Sequence, residues 1–222
     1  MSPTTRWRVL QIADSAFPVG GFAHSAGLEA MVHHGWPSTV VELDTYVAAH
    51  LWNVGHSSLP FVGAAYDAPA DLVVIDRRLD ALLSNHVANR ASRTQGRAFI
   101  ATAARVFDDP EMGRLAQLAD GGSHAHLAPL FGAAMATLGL SRREALTIHL
   151  HSALRGLLSA AVRLAVIGPH EAARMHDRRS QTLEAVLGEC AELTVDGAAT
   201  VVPLLDVVWT THDGLYARLF QS

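Results

Sequence analysis

The chain has 222 residues, of which 50% are apolar and 17% charged, a composition typical of a folded protein. A net charge of −4 without an extended basic cluster argues against nucleic-acid binding. All 17 basic residues are arginine, which excludes a Walker A lysine, and the single cysteine, Cys190, excludes an internal disulfide. The longest apolar run, 156–168, is too short to cross a bilayer, and no signal peptide is expected. We therefore expect one domain over residues 1–222, in a reducing compartment and without a membrane span.

The segment 10–36 predicts two short helices joined by a tight elbow. Pro18 ends the first helix, because proline fixes φ and has no N–H to donate. Gly20 and Gly21 follow, and glycine adopts conformations with positive φ at little steric cost. A glycine-rich turn before a helix can also hold a phosphate, but no strand precedes this one and no G-x-x-x-x-G-K-[ST] pattern is present. We therefore interpret residues 18–22, the elbow, as a packing corner.

The second helix of this segment carries the polar residues closest to the elbow. Ser25 is predicted to cap it, and Gly35 to end it. His24 lies at the exit of the elbow, and Ser25 and Glu29 lie one helical turn apart on the same face. This serine and acid lack an accompanying base, and the chain contains no G-x-S-x-G or H-E-x-x-H pattern. We expect a protein that is not an enzyme.

Apolar residues at helical spacing continue along most of the chain. Ser38 with Glu42 predicts a helix start, and Pro60 is expected to kink or divide the helix that follows. Ser141 and Glu144 form a capping box, which opens a long helix. Further helices are predicted over 71–86, 89–107, 111–118, 126–138 and 170–193.

Residues 145–167 are apolar almost all round, which predicts a central helix buried on every side. The run 201–208 is rich in β-branched residues and could form a strand, although Pro203 and Asp206 weaken that interpretation and one strand has no pairing partner. We therefore predict an all-α, single-domain helical bundle of about nine to eleven helices around a buried central helix.

Arginines recur on the polar face of the predicted helix over 89–107. Their spacing is close to helical, and a solvated or ion-paired face is the simplest interpretation. The residues are Arg90, Arg93, Arg97 and Arg105.

Two further arginines lie on the otherwise apolar central helix. Arg155 and Arg163 are within about 80° of each other there, and a buried charge must be paired or solvated. One hypothesis is a structural salt bridge to Glu29 or Asp206. The other is that both arginines line a polar passage or a groove for a partner. The sequence leaves both open.

Thirteen histidines raise the question of a metal site. His149 and His151 lie two residues apart on a helix and point in opposite directions, so they do not chelate one ion. His124 and His126, at a loop-to-helix junction, are the one pair that could converge, and no third ligand is evident. Nickel accepts imidazole ligands, but we favour structural or surface roles for both residues. Cys190 is expected to be a buried, small apolar side chain.

Three segments of the chain resemble the urease accessory protein family UreF. The run LQIADSAFPVGGFAHSAGLE at residues 10–29 is similar to the N-terminal signature of that family, whose members often carry tyrosine where this chain has His24. The run SAAVRL at 159–164 and the C-terminal YARLFQS at 216–222 also resemble the family. The resemblance therefore covers essentially the whole chain.

The resemblance implies a cytoplasmic, all-α protein that forms a homodimer. It implies binding to UreD, also called UreH, and to the GTPase UreG, in a complex that passes nickel to apo-urease. In that complex the chain would act as a scaffold and gate GTP hydrolysis by UreG, with no firmly bound cofactor. The alternative hypothesis is a nickel carrier that binds the metal directly through its histidines.

The C-terminal segment combines two aromatic residues, a leucine and an arginine within five positions, and these residue types are common at interface hot spots. A free terminus is normally polar, so we expect this one to dock on its own core or on a partner. The predicted partner-binding residues are His24, Ser25, Glu29, Arg155, Arg163, Tyr216, Arg218, Leu219 and Phe220.

Overall fold

The computed structural model describes residues 3–17 and 20–222, which are helical almost throughout and contain no strand. The predicted all-α class is confirmed. The helices are α1 Pro3–Ala13, α2 Leu28–His33, α3 Val40–Ser57, α4 Leu59–Asp67, α5 Leu72–Leu82, α6 His86–Val106, α7 Pro110–Asp120, α8 Leu127–Thr137, α9 Arg142–Arg163, α10 Pro169–Arg178, α11 Ser180–Cys190 and α12 Pro203–Thr210. Short 3₁₀ turns cover Gly21–Ala23, Pro69–Asp71, Val195–Gly197 and Thr211–Gly214.

Helix starts follow the capping chemistry of the sequence. The capping box of Ser141 and Glu144 is confirmed at the start of α9. At α3 the cap is Thr39, one residue after the predicted Ser38. Ser38 instead donates its backbone N–H and its hydroxyl to the same Glu42 carboxylate, at 2.8 and 2.9 Å. Pro60 lies in the first turn of α4, where proline is tolerated, and it divides the predicted helix as expected.

Helix α9 is central as predicted, since it packs against α1, α3, α4, α8, α10 and α11. Its burial is less complete than predicted. One face of α9, which carries Ser152, Arg155, Gly156, Ser159 and Arg163, is only half-buried. These small and basic residues leave space between α9 and the N-terminal segment, so the face borders a cavity of about 370 Å³ that both arginines line.

Helix α8 is the more completely buried helix, and its residues 128–135 are all buried. It packs against α4 and α6. The contact with α4 is close because Gly132 has no side chain, and a β-carbon there would overlap the Val62 carbonyl oxygen. The helix that is buried on every side is thus α8.

Two predicted elements differ from the structure. The predicted helix over 170–193 is divided into α10 and α11 at Arg179, whose guanidinium donates to the Asp44 carbonyl on α3 at 2.7 Å. The possible strand over 201–208 is wrong. Helix α12 begins with Pro203 instead, because proline suits the first position of a helix, and of the residues in α12 only Leu205 is buried.

In the part of the chain that the structure describes, we find no individual helix with the length and apolar character required to cross a bilayer. The sharply bent pair formed by Val40–Asp67 and Pro69–Leu82 meets those two criteria only when taken together.

Candidate partner-binding surface

The C-terminal tail, residues 215–222, docks on the segment just after the elbow. The Gln221 amide donates to the Ala23 carbonyl at 2.8 Å. Ser25 donates twice to the Ser222 carbonyl, from its amide at 2.7 Å and from its hydroxyl at 2.9 Å. The two ends of the chain that carry the family resemblance therefore form one structural unit.

Ser25 does not occupy the predicted N-cap position of α2, because its hydroxyl donates to the tail. Gly27 stands at that position with φ of 83°, and a β-carbon there would lie 3.0 Å from the Trp209 ring. The Ser25 hydroxyl still accepts from the Glu29 amide at 3.3 Å. The predicted cap is wrong in position, and the chain turns into α2 through two residues with positive φ, Ala26 at 54° and Gly27 at 83°.

The elbow is described in part. Pro18 lies outside the described residues. Gly20 has φ of 71°, as predicted, and a β-carbon there would lie 3.2 Å from that of Ala98 on α6. Gly21 begins a 3₁₀ turn and is not among the residues with positive φ. Of the two glycines, Gly20 is therefore the one whose conformation disfavours a side chain.

Glu29 is the main anchor of the tail. Its Oε1 accepts from the Leu219 amide at 2.6 Å, and its Oε2 accepts from the Phe220 amide at 3.2 Å. The fully buried His212 contacts the same Oε2 through Nε2 at 2.9 Å. A buried carboxylate needs several donors to replace its water. Glu29 finds them in the tail and in the 3₁₀ turn before it.

His24 is buried between the elbow and the tail. Its Nδ1 lies 2.6 Å from the Ser222 hydroxyl. Burial, followed by the nearby charges of Arg90 and His212, lowers the pKa of His24 from 6.5 to about 4. The ring is therefore neutral at physiological pH. Its Nε2 is buried and has no partner among the described residues.

Arg163 lies between two aromatic rings, one from each end of the chain. Its guanidinium carbon is 3.8 Å from the ring centroid of Phe22 and 4.2 Å from that of Phe220. It also donates to the Phe22 carbonyl. This stacked arrangement suits the planar guanidinium and joins the elbow to the tail through α9.

Arg155 makes a similar link to α1. Its Nη1 donates to the Ala13 carbonyl at 3.0 Å, and burial lowers the pKa of its guanidinium, an effect that Asp14 opposes. Among the described residues, neither Arg155 nor Arg163 forms the salt bridge to Glu29 or Asp206 that was one of the two hypotheses. Backbone carbonyls of the N-terminal segment accept from both arginines instead.

Docking divides the tail residues into two groups. Phe220 is buried, whereas Tyr216 is fully exposed and Leu219 is 52% exposed. Arg218 is half-exposed and lies 3.5 Å from Asp213. On the elbow, Phe22 is 70% exposed. Docking of the tail thus leaves aromatic, aliphatic and guanidinium groups at the surface. We call the surface that these residues form the tail–elbow surface: Phe22, Arg163, Tyr216, Arg218 and Leu219.

His124 and His126 converge on a carboxylate. Their rings contact Asp80 Oδ1 at 3.3 and 3.1 Å, and the second nitrogen of His126 lies 3.1 Å from the Ser92 hydroxyl. Both nitrogens of His126 are therefore used by protein groups. Within the described ranges, no group of three or more His, Cys, Asp or Glu residues is arranged to hold a metal ion.

Several residues of this region were not predicted from the sequence. His212 pairs with Glu29, and Asp213 accepts from both terminal nitrogens of Arg90 at 2.7 and 3.0 Å. A signal was present, since a carboxylate on the buried face of a short helix requires a partner, but nothing in the sequence indicates which distant residue supplies it. Cys190 is buried as expected, and burial raises the pKa of its thiol to about 11.

Comparison with known proteins gives a consistent result. A sequence model of the UreF family matches residues 38–178. The chain is 37% identical to urease accessory protein F of Arabidopsis thaliana over 227 aligned residues, which cover 100% of this chain and 94% of the relative. It is 33% identical to the protein of the same name in Oryza sativa subsp. japonica, with 99% and 86% covered. It is 28% identical to urease accessory protein UreF of Paenarthrobacter aurescens, with both chains covered completely.

Proposed function

Because this chain belongs to the UreF family of urease accessory proteins and serves urease maturation, we propose that it is the scaffold of a cytoplasmic maturation complex. In this proposal it forms a homodimer and links UreD/UreH to the GTPase UreG. The complex delivers nickel to apo-urease, and the chain gates GTP hydrolysis by UreG without performing chemistry itself.

The observation that carries this proposal is the tail–elbow surface. Phe22 and Tyr216 are large aromatic side chains that stay exposed although the chain folds around them. Their backbones are held in place, since Phe22 stacks on Arg163 and the tail is anchored on Glu29. A fixed backbone with exposed aromatic side chains lowers the entropy cost of binding. We place UreD/UreH on this surface.

The surroundings of Ser25 and Glu29 support a scaffold over an enzyme. The Ser25 hydroxyl donates to the tail, and the Glu29 carboxylate accepts from two tail amides and contacts His212. Neither group is left to act on a substrate. The proposal assigns these residues to shaping the surface from beneath, and assigns contact with the partner to the exposed side chains.

Co-purification with UreD/UreH and UreG tests the proposal. The Tyr216→Ala, Leu219→Ala double variant removes exposed side chains and leaves the backbone anchors to Glu29 intact. We expect the affinity for UreD/UreH to fall at least about tenfold, which corresponds to about 1.4 kcal/mol. Val74→Ala on α5 is the matched control. Val74 is 59% exposed, close to the 52% of Leu219, and it lies outside this surface.

Wild-type affinity in the double variant, or an equal loss in Val74→Ala, would contradict the assignment of the surface. Point variants separate the possibilities better than deletion of residues 215–222. Deletion would also remove the buried Leu215 and Phe220 and leave Glu29 without its amide donors. A loss of binding would then be mixed with a loss of stability.

A further inference from the structure

The arginines on α6 form a second polar surface, which adjoins the tail–elbow surface at Asp213, a contact of both Arg90 and Arg218. His86, Arg90, Arg93 and Arg97 fall within about 60° of one another around the helix and extend over about 16 Å along it. They line an open groove of about 570 Å³ whose lining residues all lie between 83 and 97, the others being Leu83, Ser84, Asn89 and Thr94. We call His86, Arg90, Arg93 and Arg97 the α6 stripe.

One end of the α6 stripe already binds a carboxylate from a chain segment that lies across it. Asp213, in the 3₁₀ turn before the tail, accepts from Arg90 in bidentate fashion and lies 3.1 Å from His86 Nε2. This contact shows that the stripe can hold the side-chain carboxylate of a neighbouring chain segment.

The other end of the stripe is open. Among the described residues, no carboxylate forms an ion pair with Arg93 or Arg97. The acids on the adjacent helix α5 are used elsewhere, because Asp76 accepts from two backbone amides and Asp80 contacts His126. Two arginines spaced four residues apart on one helix repel each other, so a ligand that supplies negative charge would stabilise this end.

Arg93 is held in position to accept such a ligand. Its Nε donates to the His124 carbonyl at 3.1 Å, which fixes the guanidinium plane and leaves both terminal nitrogens for another acceptor. Arg97 lies one helical turn further along, about 6 Å away parallel to the helix axis. Carboxylates two residues apart in an extended chain are separated by nearly the same distance, about 6.6 Å.

We propose that the open end of the α6 stripe docks an extended acidic segment of a partner protein, with carboxylates two residues apart that pair with Arg93 and Arg97. The partner's acidic segment would continue along the groove from the point where Asp213 occupies Arg90. The Asp213 contact supports an acidic peptide as the occupant, because Arg90 of the same stripe already holds a carboxylate from a neighbouring chain segment. This inference is independent of the function assigned to the tail–elbow surface.

Fluorescence anisotropy with a labelled synthetic peptide of alternating glutamate and serine tests the proposal on the full chain. We expect the wild-type chain to bind the peptide at low salt, and Arg93→Gln, Arg97→Gln to bind it at least tenfold more weakly. Arg105→Gln is the matched control, because Arg105 is exposed on the same helix but lies about 80° away from Arg97. This control should bind like the wild type, and a peptide with glutamine in place of glutamate should not bind.

Absence of wild-type binding, or equal binding by the wild type and the double variant, would overturn the proposal. An equal loss of affinity in Arg105→Gln would also overturn it, because that result would indicate non-specific electrostatic binding. Tighter, Arg93- and Arg97-dependent binding of a single-stranded oligonucleotide would assign the groove to nucleic acid, and displacement of the peptide by equimolar inorganic phosphate would assign it to small anions. If the double variant does not fold, Arg97→Glu alone serves, and it should also lose at least tenfold in affinity.

Discussion

Glu29 and His212 are 183 residues apart in the sequence and form a buried pair in which Oε2 and Nε2 are separated by 2.9 Å. The same carboxylate accepts from the Leu219 and Phe220 amides. One side chain near the N-terminus thus fixes the position of the C-terminal tail. The consequences of removing it can be measured.

Glu29→Ala should release the tail and destabilise the fold by about 3 kcal/mol, because three donors, two of them buried, lose their acceptor. Urea denaturation measures the stability, and limited trypsin digestion after Arg218 reports tail release. Glu189→Ala is the control, since the Glu189 side chain is 61% exposed and contacts only His56, at 3.4 Å, among the interactions described. Its effect should stay below about 1 kcal/mol. A Glu29→Ala protein with wild-type stability and trypsin resistance would contradict the anchoring role.

Arg163→Lys should weaken the link between elbow and tail although it keeps the charge. An ammonium group cannot stack its face between the rings of Phe22 and Phe220 as the guanidinium does, so we expect a loss of about 1 kcal/mol. The rate of trypsin cleavage after Arg218 should rise with it. Arg143→Lys is the matched change, because Arg143 is 71% exposed and pairs with Glu184 at the surface. Equal behaviour of the two variants would show that stacking contributes nothing.

Stability should fall as the pH falls from about 6.5 towards about 4. Burial lowers the pKa of His50 and of His149 to about 4, as it does that of His24, with further lowering of His24 by Arg90 and His212. In this window the unfolded chain therefore binds more protons than the folded chain, which favours unfolding. Each histidine can lower the free energy of unfolding by up to about 1.4 kcal/mol for each pH unit in this window.

The His149→Gln variant isolates one of these contributions. His149 lies 2.8 Å from the Ser58 hydroxyl through Nε2, and a glutamine amide can replace that hydrogen bond without titrating. Urea denaturation at several pH values between 7 and 5 should give a shallower pH dependence for this variant than for the wild type. His170→Gln at an exposed site should keep the wild-type slope. An unchanged slope in His149→Gln would mean that the buried ring does not carry the effect.

Glycine substitutions test the packing of the core. Gly132→Ala should destabilise the protein by about 1–3 kcal/mol, because the new β-carbon overlaps the Val62 carbonyl and forces α4 and α8 apart. Gly188→Ala should raise the stability by about 0.5–1 kcal/mol, since Gly188 is exposed in α11 and its β-carbon meets nothing. Thermal denaturation distinguishes the expected loss of stability in Gly132→Ala from the expected gain in Gly188→Ala. A stable Gly132→Ala protein would contradict the close approach of these helices.

Local sequence signals predicted local structure well. The capping box of Ser141 and Glu144 starts α9 as expected, and Gly20 has the predicted positive φ. These features depend on residues within a few positions of each other, so they can be read from the sequence. Helix α12 shows the limit of propensity: its β-branched residues resemble a strand, but they lie in a helix that begins with Pro203 and buries Leu205.

The candidate site depends on contacts that sequence spacing does not contain. The sequence identified Ser25, Glu29 and the tail as important, but not that Ser25 holds Ser222 or that His212 faces Glu29. Likewise, one hypothesis paired Arg163 with an acid, and it stacks between two rings instead, beside a cavity that it lines. Such pairings are set by how the helices pack, which periodicity alone does not determine.

Amide hydrogen exchange of the chain, alone and in complex with UreD/UreH, tests the central claim most directly. We expect new protection in residues 20–29 and 215–222 on complex formation, because the proposal places UreD/UreH on the surface that these two segments form. Protection confined to other helices, with exchange in both of these segments unchanged, would contradict it.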